Sequence, residues 1–186
     1  MNQTLFNNVI IPSVRDLKFL NKALHSPSPY MLLSDTHIGN LKMLTKECHK
    51  EGKKVLVHLD LVGGLNKDNM GLKLLKDLFK VDGIISPNAK LINRSKELGL
   101  IAVHRLFLLD SRSLESGLKA IKESDLNAVE VLPGPFSKAF LPQIKQVTDA
   151  PILAGGFIST KDDVIELFNA GIQGLTCSNP ALWTTK

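Results

Sequence analysis

PILAGGFIST, residues 151–160, begins as a short apolar run, passes through two adjacent glycines and ends in residues that favour a helix start. Thr160, with Asp163 three residues later, matches a capping box. Gly155 and Gly156 leave the backbone bare between the two elements. The stretch therefore predicts a strand-to-helix unit. Its connection is either a tight turn or a place where a ligand phosphate reaches main-chain N–H groups.

The same alternation of apolar run and helical segment repeats along the chain. Leu17, Leu20 and Leu24 have the spacing of one helix face, and similar segments separate the other runs. The apolar runs recur about every 20 to 25 residues and are typical of strands. They are VIIP (9–12), YMLLS (30–34), VLVHLD (55–60), GIIS (83–86), LIAVHRLFL (100–108), AVEVL (128–132), PILAG (151–155) and GLTCS (174–178).

Eight strand-to-helix repeats predict a parallel sheet that closes into a (β/α)8 TIM-type barrel, formed by residues 1–186 as a single domain. The chain is short against the roughly 250 residues typical of that fold. Only NPALWTTK follows the last strand, so we expect a truncated last helix. A short last helix leaves a gap on the barrel surface that fits a partner or the second copy of a homodimer. A flavodoxin-like open sheet is the alternative, but it needs about five strands.

Helix ends are marked by capping residues. Ser13 and Asn88 are predicted N-caps. Pro142, inside SKAFLPQIKQV, predicts a kink or a helix start delayed to about Leu141. Glycines that follow helical runs predict left-handed C-caps at Gly52, Gly99 and Gly171.

The composition is that of a globular chain. It has 186 residues, of which 44% are hydrophobic and 22% charged. The start, MNQTLFNN, lacks the pattern of a secretory signal, and no apolar run approaches the roughly 18 residues of a membrane span. Cys48 and Cys177 have no Cys-x-x-Cys spacing and are predicted to be reduced thiols. We expect a cytoplasmic protein without membrane contact and, because no histidine or carboxylate set has ligand spacing, without a metal.

The loops after the last two predicted strands carry the sharpest functional signal. Phosphates bind at this position in many barrels of this fold. The loops read AGGF and TCSN, and they offer the N–H groups of Gly155 and Gly156, the hydroxyl of Ser178 and the amide of Asn179. The sequence predicts a phosphate site formed by these four residues, with two ordinary tight turns as the alternative.

Polar residues mark the other strand ends. They are Asp35, Thr36, His37, His58, Asp60, His104, Arg105 and Glu130. His58 and Asp60 share a face with Leu56, and Glu130 lies opposite the apolar face of its strand. A buried ionised glutamate costs several kcal/mol unless it is paired. We therefore expect Glu130 to meet Arg105 or a ligand hydroxyl, and Arg105 rather than His104 to face the site.

Two classes of function fit these residues. Asp60 and Glu130 suit an acid and base pair acting on a small sugar phosphate, as in an isomerase or a lyase. No lysine lies within the strands to form a Schiff base. Binding without turnover needs fewer assumptions, so a non-enzymatic binding protein is favoured.

Six blocks of the chain, in order, resemble the glycerol uptake operon antiterminator family, the GlpP-type regulators of Gram-positive bacteria. They are VHLDLVGGL (57–65), DGIIS (82–86), RLFLLDS (105–111), VEVLPG (129–134), PILAGGFI (151–158) and TCSNPALW (176–183). The resemblance covers nearly the whole chain. It departs at IISP, where Ile-Ile-Ser-Thr is expected, and at TCS, where Ser-Thr-Ser is expected. Both departures keep a serine, Ser86 and Ser178.

The resemblance implies a non-enzymatic sensor without a cofactor. Its effector is glycerol 3-phosphate, and its partner is the leader mRNA of glycerol-use genes, where it prevents termination and stabilises the transcript. The phosphate is then expected at Gly155, Gly156, Ser178 and Asn179. The glycerol hydroxyls or the ordering of the site are expected to involve His58, Asp60, Arg105, Glu130 and Gly134 of the VEVLPG block.

RNA would need a separate basic surface, and the net charge of +5 permits one. One helix carries Lys42, Lys46, Lys50 and Lys53 along a single face, and this face is the predicted RNA-binding surface. A solvated helix face is the alternative. The single Trp and single Tyr argue against a base-stacking surface, so RNA contacts are expected to be electrostatic.

Overall fold

The computed structural model describes residues 5–184, and within them eight parallel strands form a closed barrel. Around the barrel the order is β1, β10, β9, β8, β7, β6, β4 and β2, and a separate pair is formed by β3 and β5. The strands are β1 (Val9–Val14), β2 (Tyr30–Leu33), β3 (Thr36–His37), β4 (Lys54–His58), β5 (Val62–Gly63), β6 (Gly83–Ser86), β7 (Ile101–Phe107), β8 (Ala128–Leu132), β9 (Ile152–Gly155) and β10 (Gly174–Cys177). The predicted barrel is confirmed.

Seven α-helices surround the barrel in the described part of the chain. They are α1 (Leu20–Leu24), α2 (Ile38–Lys50), α3 (Asn69–Asp77), α4 (Ala89–Glu97), α5 (Ser111–Lys122), α6 (Gly134–Lys145) and α7 (Lys161–Asn169), with 3-10 turns at Leu17–Phe19 and Leu59–Leu61. None of these helices has the length and apolar character needed to cross a bilayer.

The last helix is truncated, as the sequence predicts: residues 180–184 form turns after β10. Trp183 is buried there, and its indole Nε1–H donates to the carbonyl of Cys177 at 2.7 Å. Trp183 and Leu182 belong to the outer core. The chain's own side chains therefore pack where the sequence left room for a partner, and the homodimer stays a prediction.

The strands divide the core into two layers because alternate residues face opposite sides of a strand. On β4, Leu56 belongs to the cluster inside the barrel, whereas Val55 and Val57 pack in the outer cluster with the helices. The inner cluster also contains Ile85, Val103 and Leu153 from other strands, among others. These apolar layers leave the carboxyl ends of the strands free for polar side chains.

Several predicted helix ends are confirmed. Asn88 caps α4 and Thr160 forms a capping box with Asp163. Gly52, Gly99 and Gly171 all have positive φ. Ser13 is not a cap, because β1 continues through it. Asp16 accepts from the Lys18 amide instead, at the start of the 3-10 turn.

Helix α6 runs through Pro142 rather than starting at Leu141. The proline removes the amide that would bond the carbonyl of Lys138, four residues earlier. Both residues are exposed, so water can solvate that carbonyl. The solvent-facing position explains why the proline does not end the helix.

Candidate functional site

A cavity of about 440 Å³ opens at the carboxyl ends of the barrel strands. Its polar lining comes from β1, β4, β7, β8 and β10 and from the loops that follow β1, β2 and β10. The polar lining side chains are Ser13, Arg15, Ser34, Asp35, His58, Arg105, Glu130, Thr176 and Ser178. Apolar side chains from the end of β8 and from segments that follow β4 and β9 also line the wall: Leu61, Leu132, Phe157 and Ile158.

Glu130 lies at the centre of the floor and is fully buried. Arg105 donates from Nε to one carboxylate oxygen at 2.6 Å, and Thr176 donates from Oγ1 to the other at 2.6 Å. The side chain of Arg105 is 12% exposed. Both oxygens of the buried carboxylate therefore have a side-chain donor, and Arg105 supplies the opposite charge. The expected contact between Glu130 and Arg105 is present.

His58 completes the buried network. Arg105 donates from Nη2 to Nε2 of His58 at 2.5 Å, so the imidazole proton lies on Nδ1. That Nδ1 atom is buried and has no hydrogen-bond partner among the described residues. Burial, followed by the positive charge of Arg105, lowers the pKa of His58 to about 4. At neutral pH His58 is therefore an uncharged donor in the cavity wall.

The outward neighbour of Arg105 is also a buried histidine. His104 is not part of the cavity wall, and burial lowers its pKa from 6.5 to about 4. Because the folded-state pKa lies below the unfolded value, the full stability is present above pH 6.5 and is lost as pH falls towards 4.

We expect His58 and His104 each to lower the free energy of unfolding by about 2 kcal/mol between pH 7 and pH 5. Urea denaturation of His104→Asn across this range should show a shallower loss than the wild type; parallel curves would contradict it.

The structure separates the predicted phosphate residues. Gly156 and Ser178 line the cavity, and Gly156 has a positive φ of 75°. Gly155 lies one residue back, inside β9. A Cβ atom there would lie 2.9 Å from Oε1 of Glu130 and would also collide with Oγ1 of Thr176. The bare backbone at Gly155 therefore makes room for the hydrogen bond between Thr176 and Glu130.

Asn179, the fourth predicted phosphate residue, joins two loops. Its Nδ2 donates to the carbonyl of Ser159 at 3.1 Å, and its Oδ1 accepts from the amide of Ala181 at 3.0 Å. Both ends of the amide are thus bonded to backbone groups. Asn179 holds the loop after β10 against the loop after β9, and it is not in the cavity lining.

Two predicted hydroxyl-binding residues lie outside the cavity lining. β4 ends at His58, so Asp60 falls on a 3-10 turn and no longer follows the strand alternation. Its carboxylate accepts from Ser86 Oγ at 3.3 Å and lies 3.8 Å from Lys67 Nζ. Gly134 donates its amide to the carbonyl of Gly156 at 3.0 Å, so it supports the loop after β9, where the sequence predicts phosphate contacts.

The polar wall at the ends of β1 and β2 was not predicted from the sequence to be part of the site. Ser13 and Ser34 share a hydrogen bond of 2.6 Å between their hydroxyls. Arg15 directly follows β1, Asp35 is the second residue after β2, and both line the same cavity. Arg15 comes first after β1, and a cation at that position is the signal that could have identified it.

The wall carries two cations and two carboxylates, and one of the cations has no ion-pair partner among the described residues. Glu130 already balances Arg105, and His58 is neutral. Among residues 5–184, no carboxylate oxygen lies within 4.0 Å of Arg15, whose charge is therefore available to a ligand. Asp35 is the opposing charge on the wall. No lysine is in the lining, and the described residues contain no group of three metal-ligating side chains.

Fewer lysines project from the predicted basic face than the sequence indicates. Lys53 donates from Nζ to the carbonyls of Ser26 and Ser28, at 2.5 and 2.7 Å, and so holds the turn before β2. Lys42, Lys46 and Lys50 are exposed on α2. The lysines of this face that project into solvent are these three.

Fold and site together define a class: a closed parallel barrel with a polar, anion-compatible cavity at the carboxyl ends of its strands. The family model for the glycerol-3-phosphate responsive antiterminator matches residues 10–183. The chain therefore belongs to the glycerol-3-phosphate responsive antiterminator family, in agreement with the resemblance found in the sequence.

Three proteins illustrate the relationship. The crystal structure of a glycerol uptake operon antiterminator regulatory protein from Listeria monocytogenes is 34% identical, with a TM-score of 0.89 and 98% of each chain covered. A glycerol uptake operon antiterminator-related protein from Thermotoga maritima is 28% identical, with a TM-score of 0.83, covering 96% of this chain and 99% of that one. YgcP of Escherichia coli K12, an uncharacterised protein, is 29% identical over 97% of this chain and 94% of its own length.

More distant structures share the fold alone. An aldolase named QR15 is 10% identical, with a TM-score of 0.73, and the likeness covers 96% of this chain and 93% of that one. Barrels of this kind carry many unrelated functions. The family, rather than the barrel, indicates a regulator.

Proposed function

We propose that this chain is a single-domain cytoplasmic regulator that binds glycerol 3-phosphate and, in response, the leader mRNA of glycerol-utilisation genes. Binding prevents termination and stabilises the transcript. The family membership supports this function, and one structural observation carries it: a cavity lined by hydroxyl groups and by Arg15, whose charge has no carboxylate partner among the described residues. Such a wall suits a small phosphorylated polyol.

The proposed effector lies with its phosphate at the cavity mouth. Gly156 and Ser178 supply the phosphate contacts predicted from the sequence, and Arg15 adds a charge-assisted contact. Gly155 and Asn179 act behind this surface, through the Glu130 pair and the loop contact described above. The glycerol hydroxyls face Arg105 and the buried network.

The same network supports binding without chemical turnover. Both oxygens of Glu130 accept hydrogen bonds, from Arg105 and Thr176, so the carboxylate is poorly placed to accept a substrate proton. Asp60, the other proposed acid or base, lies outside the lining. We propose that the protein needs no cofactor and that glycerol 3-phosphate is its effector.

The RNA phosphates are proposed to contact α2. Lys42 and Lys46 are one helical turn apart, and Lys50 follows after another turn, so the three charges project from one face. Electrostatic contacts of this kind weaken as salt rises. Lys46→Glu should therefore lower leader-RNA affinity and reduce its salt dependence.

Calorimetry with glycerol 3-phosphate, with glycerol as the uncharged comparison, tests the effector. Gel shift of leader RNA with and without glycerol 3-phosphate tests the response. We expect tight binding of the phosphate, weak binding of glycerol, and RNA retention that depends on effector. Absence of both binding events would refute the proposal, and steady conversion of the phosphate, followed by NMR, would favour the isomerase or lyase.

A further inference from the structure

Exposed phenylalanines lie at the carboxyl ends of three consecutive barrel strands, and one of them, Phe157, lines the cavity. Phe107 ends β7, Phe136 lies in the first turn of α6 after β8, and Phe157 follows β9. Their exposed fractions are 38%, 64% and 84%. A large apolar side chain is usually buried, and an exposed group of them marks an interaction surface. We call these three residues the phenylalanine rim.

The rim is connected to the proposed phosphate loop. Phe157 directly follows Gly156 and has a φ of 59°, a left-handed conformation that is unfavourable for a bulky residue. A strained backbone of this kind persists where the surroundings hold it, and it commonly marks a functional segment. Gly134, which donates to the carbonyl of Gly156, lies two residues before Phe136. A ligand that contacts the Gly156 amide would therefore act on the segment that presents the rim.

Cations lie beside the rim. The guanidinium of Arg105 is 5.8 Å from the ring centre of Phe107. Arg112 and Lys161, which follow Phe107 and Phe157 by five and four residues, are exposed and form no ion pair with any described residue. Asp162 opposes them.

The nearby capping carboxylates are already bonded to the backbone. Asp110 accepts from the amide of Ser113, and Asp163 accepts from the amides of Ser159 and Thr160. These bonds fix both carboxylates at the helix starts, where they satisfy backbone amides. Arg112 and Lys161 have no such partner and remain available to the phosphates of an anionic partner.

We propose that single-stranded bases of the leader RNA stack on the phenylalanine rim, while the neighbouring cations contact its phosphates. This inference rests on the proposed function and identifies the surface that binds RNA when the effector is present. Aromatic rings accept bases of any sequence, and arginine and lysine suit the backbone. The low aromatic content had argued against such a surface, but the fold concentrates the rings in one place.

Substitutions in the full chain test the rim. Leader-RNA affinity is measured by fluorescence anisotropy at saturating glycerol 3-phosphate. Phe157→Ala and Phe136→Ala should each weaken RNA binding by about 5- to 100-fold, the range for loss of one stacked base. Phe157→Tyr, which keeps the ring, should retain most of the affinity. Met70→Ala, an equally apolar and exposed change on α3, is the control and should have no effect.

Calorimetry of Phe136→Ala with glycerol 3-phosphate separates the RNA effect from the effector site, and its effector affinity should remain within about twofold. Wild-type RNA affinity in both alanine variants would overturn the rim proposal. So would sedimentation showing that Phe157→Ala abolishes self-association, since the rim would then be a protein interface. A wild-type chain that binds no RNA at all would instead refute the proposed function.

Discussion

Glu130→Gln is expected to lower the free energy of unfolding by about 3–5 kcal/mol, because it leaves the charge of Arg105 buried without its partner. Arg105 is 12% exposed and Glu130 is fully buried, so water cannot replace the lost interaction. The glutamine amide also presents a donor where Thr176 or Arg105 now donates. The measurement is urea denaturation at pH 7, with circular dichroism as the readout.

An exposed ion pair provides the matched control. Glu166 pairs with Lys138 on the surface, and Glu166→Gln removes the same charge in the same way. Exposed pairs contribute at most about 1 kcal/mol, so this variant should unfold near the wild-type midpoint. Equal stability changes in the two variants would show that the Glu130 network does not stabilise the barrel.

Arg15→Ala is expected to weaken glycerol 3-phosphate binding by about 10- to 100-fold, the effect of losing a hydrogen bond to a charged group. The remaining charges of the wall cannot replace it. Glu130 neutralises Arg105, and His58, whose pKa is lowered to about 4, is uncharged at pH 7. Asp35→Asn should act in the opposite direction and strengthen binding several-fold, because it removes a negative charge facing the phosphate.

Calorimetry of the two variants checks this pair of predictions. Arg15→Lys should recover part of the affinity, since it keeps the charge but not the planar guanidinium. Arg15 is exposed, so its variants should unfold like the wild type. An Arg15→Ala chain that binds the effector as tightly as the wild type, or an Asp35→Asn chain that binds it more weakly, would contradict the charge arrangement of the site.

The sequence predicts the fold well because hydrophobic period and repeat length are local properties of a chain. The strand alternation places Leu56 inside and Val55 outside without any knowledge of the partner strands. It also points Glu130 into the barrel, where a buried carboxylate requires a cation. Arg105 lies on the neighbouring strand with matching inward direction, so their pairing followed from the same rule.

The site was less predictable because single residues at strand ends decide it. β4 stops two residues before Asp60, which removes that carboxylate from the inward face. Gly155 and Asn179 carry the sequence pattern of a phosphate loop, but their neighbours are Glu130 and Ser159, distant in the chain. Arg15 was missed for the same reason: its place in the cavity depends on how β1 closes the barrel beside β10.

The spacing of the lysines in the sequence predicts one more exposed lysine on the basic face than the structure has. Lys53 has the helical spacing of the other three lysines, but it lies beyond the end of α2. Its ammonium bonds two backbone carbonyls of the preceding turn. A charge pattern read from the sequence cannot distinguish a solvated lysine from one that holds a loop.

Effector binding and RNA binding are proposed to be coupled, and a double titration measures this coupling. Leader-RNA affinity is measured by anisotropy over a range of glycerol 3-phosphate concentrations, and effector affinity is measured with and without excess RNA. Coupling requires both affinities to rise by the same factor, typically about 5- to 150-fold, with glycerol having no such effect. An RNA affinity that stays constant over the whole range of glycerol 3-phosphate concentrations would contradict the proposed coupling.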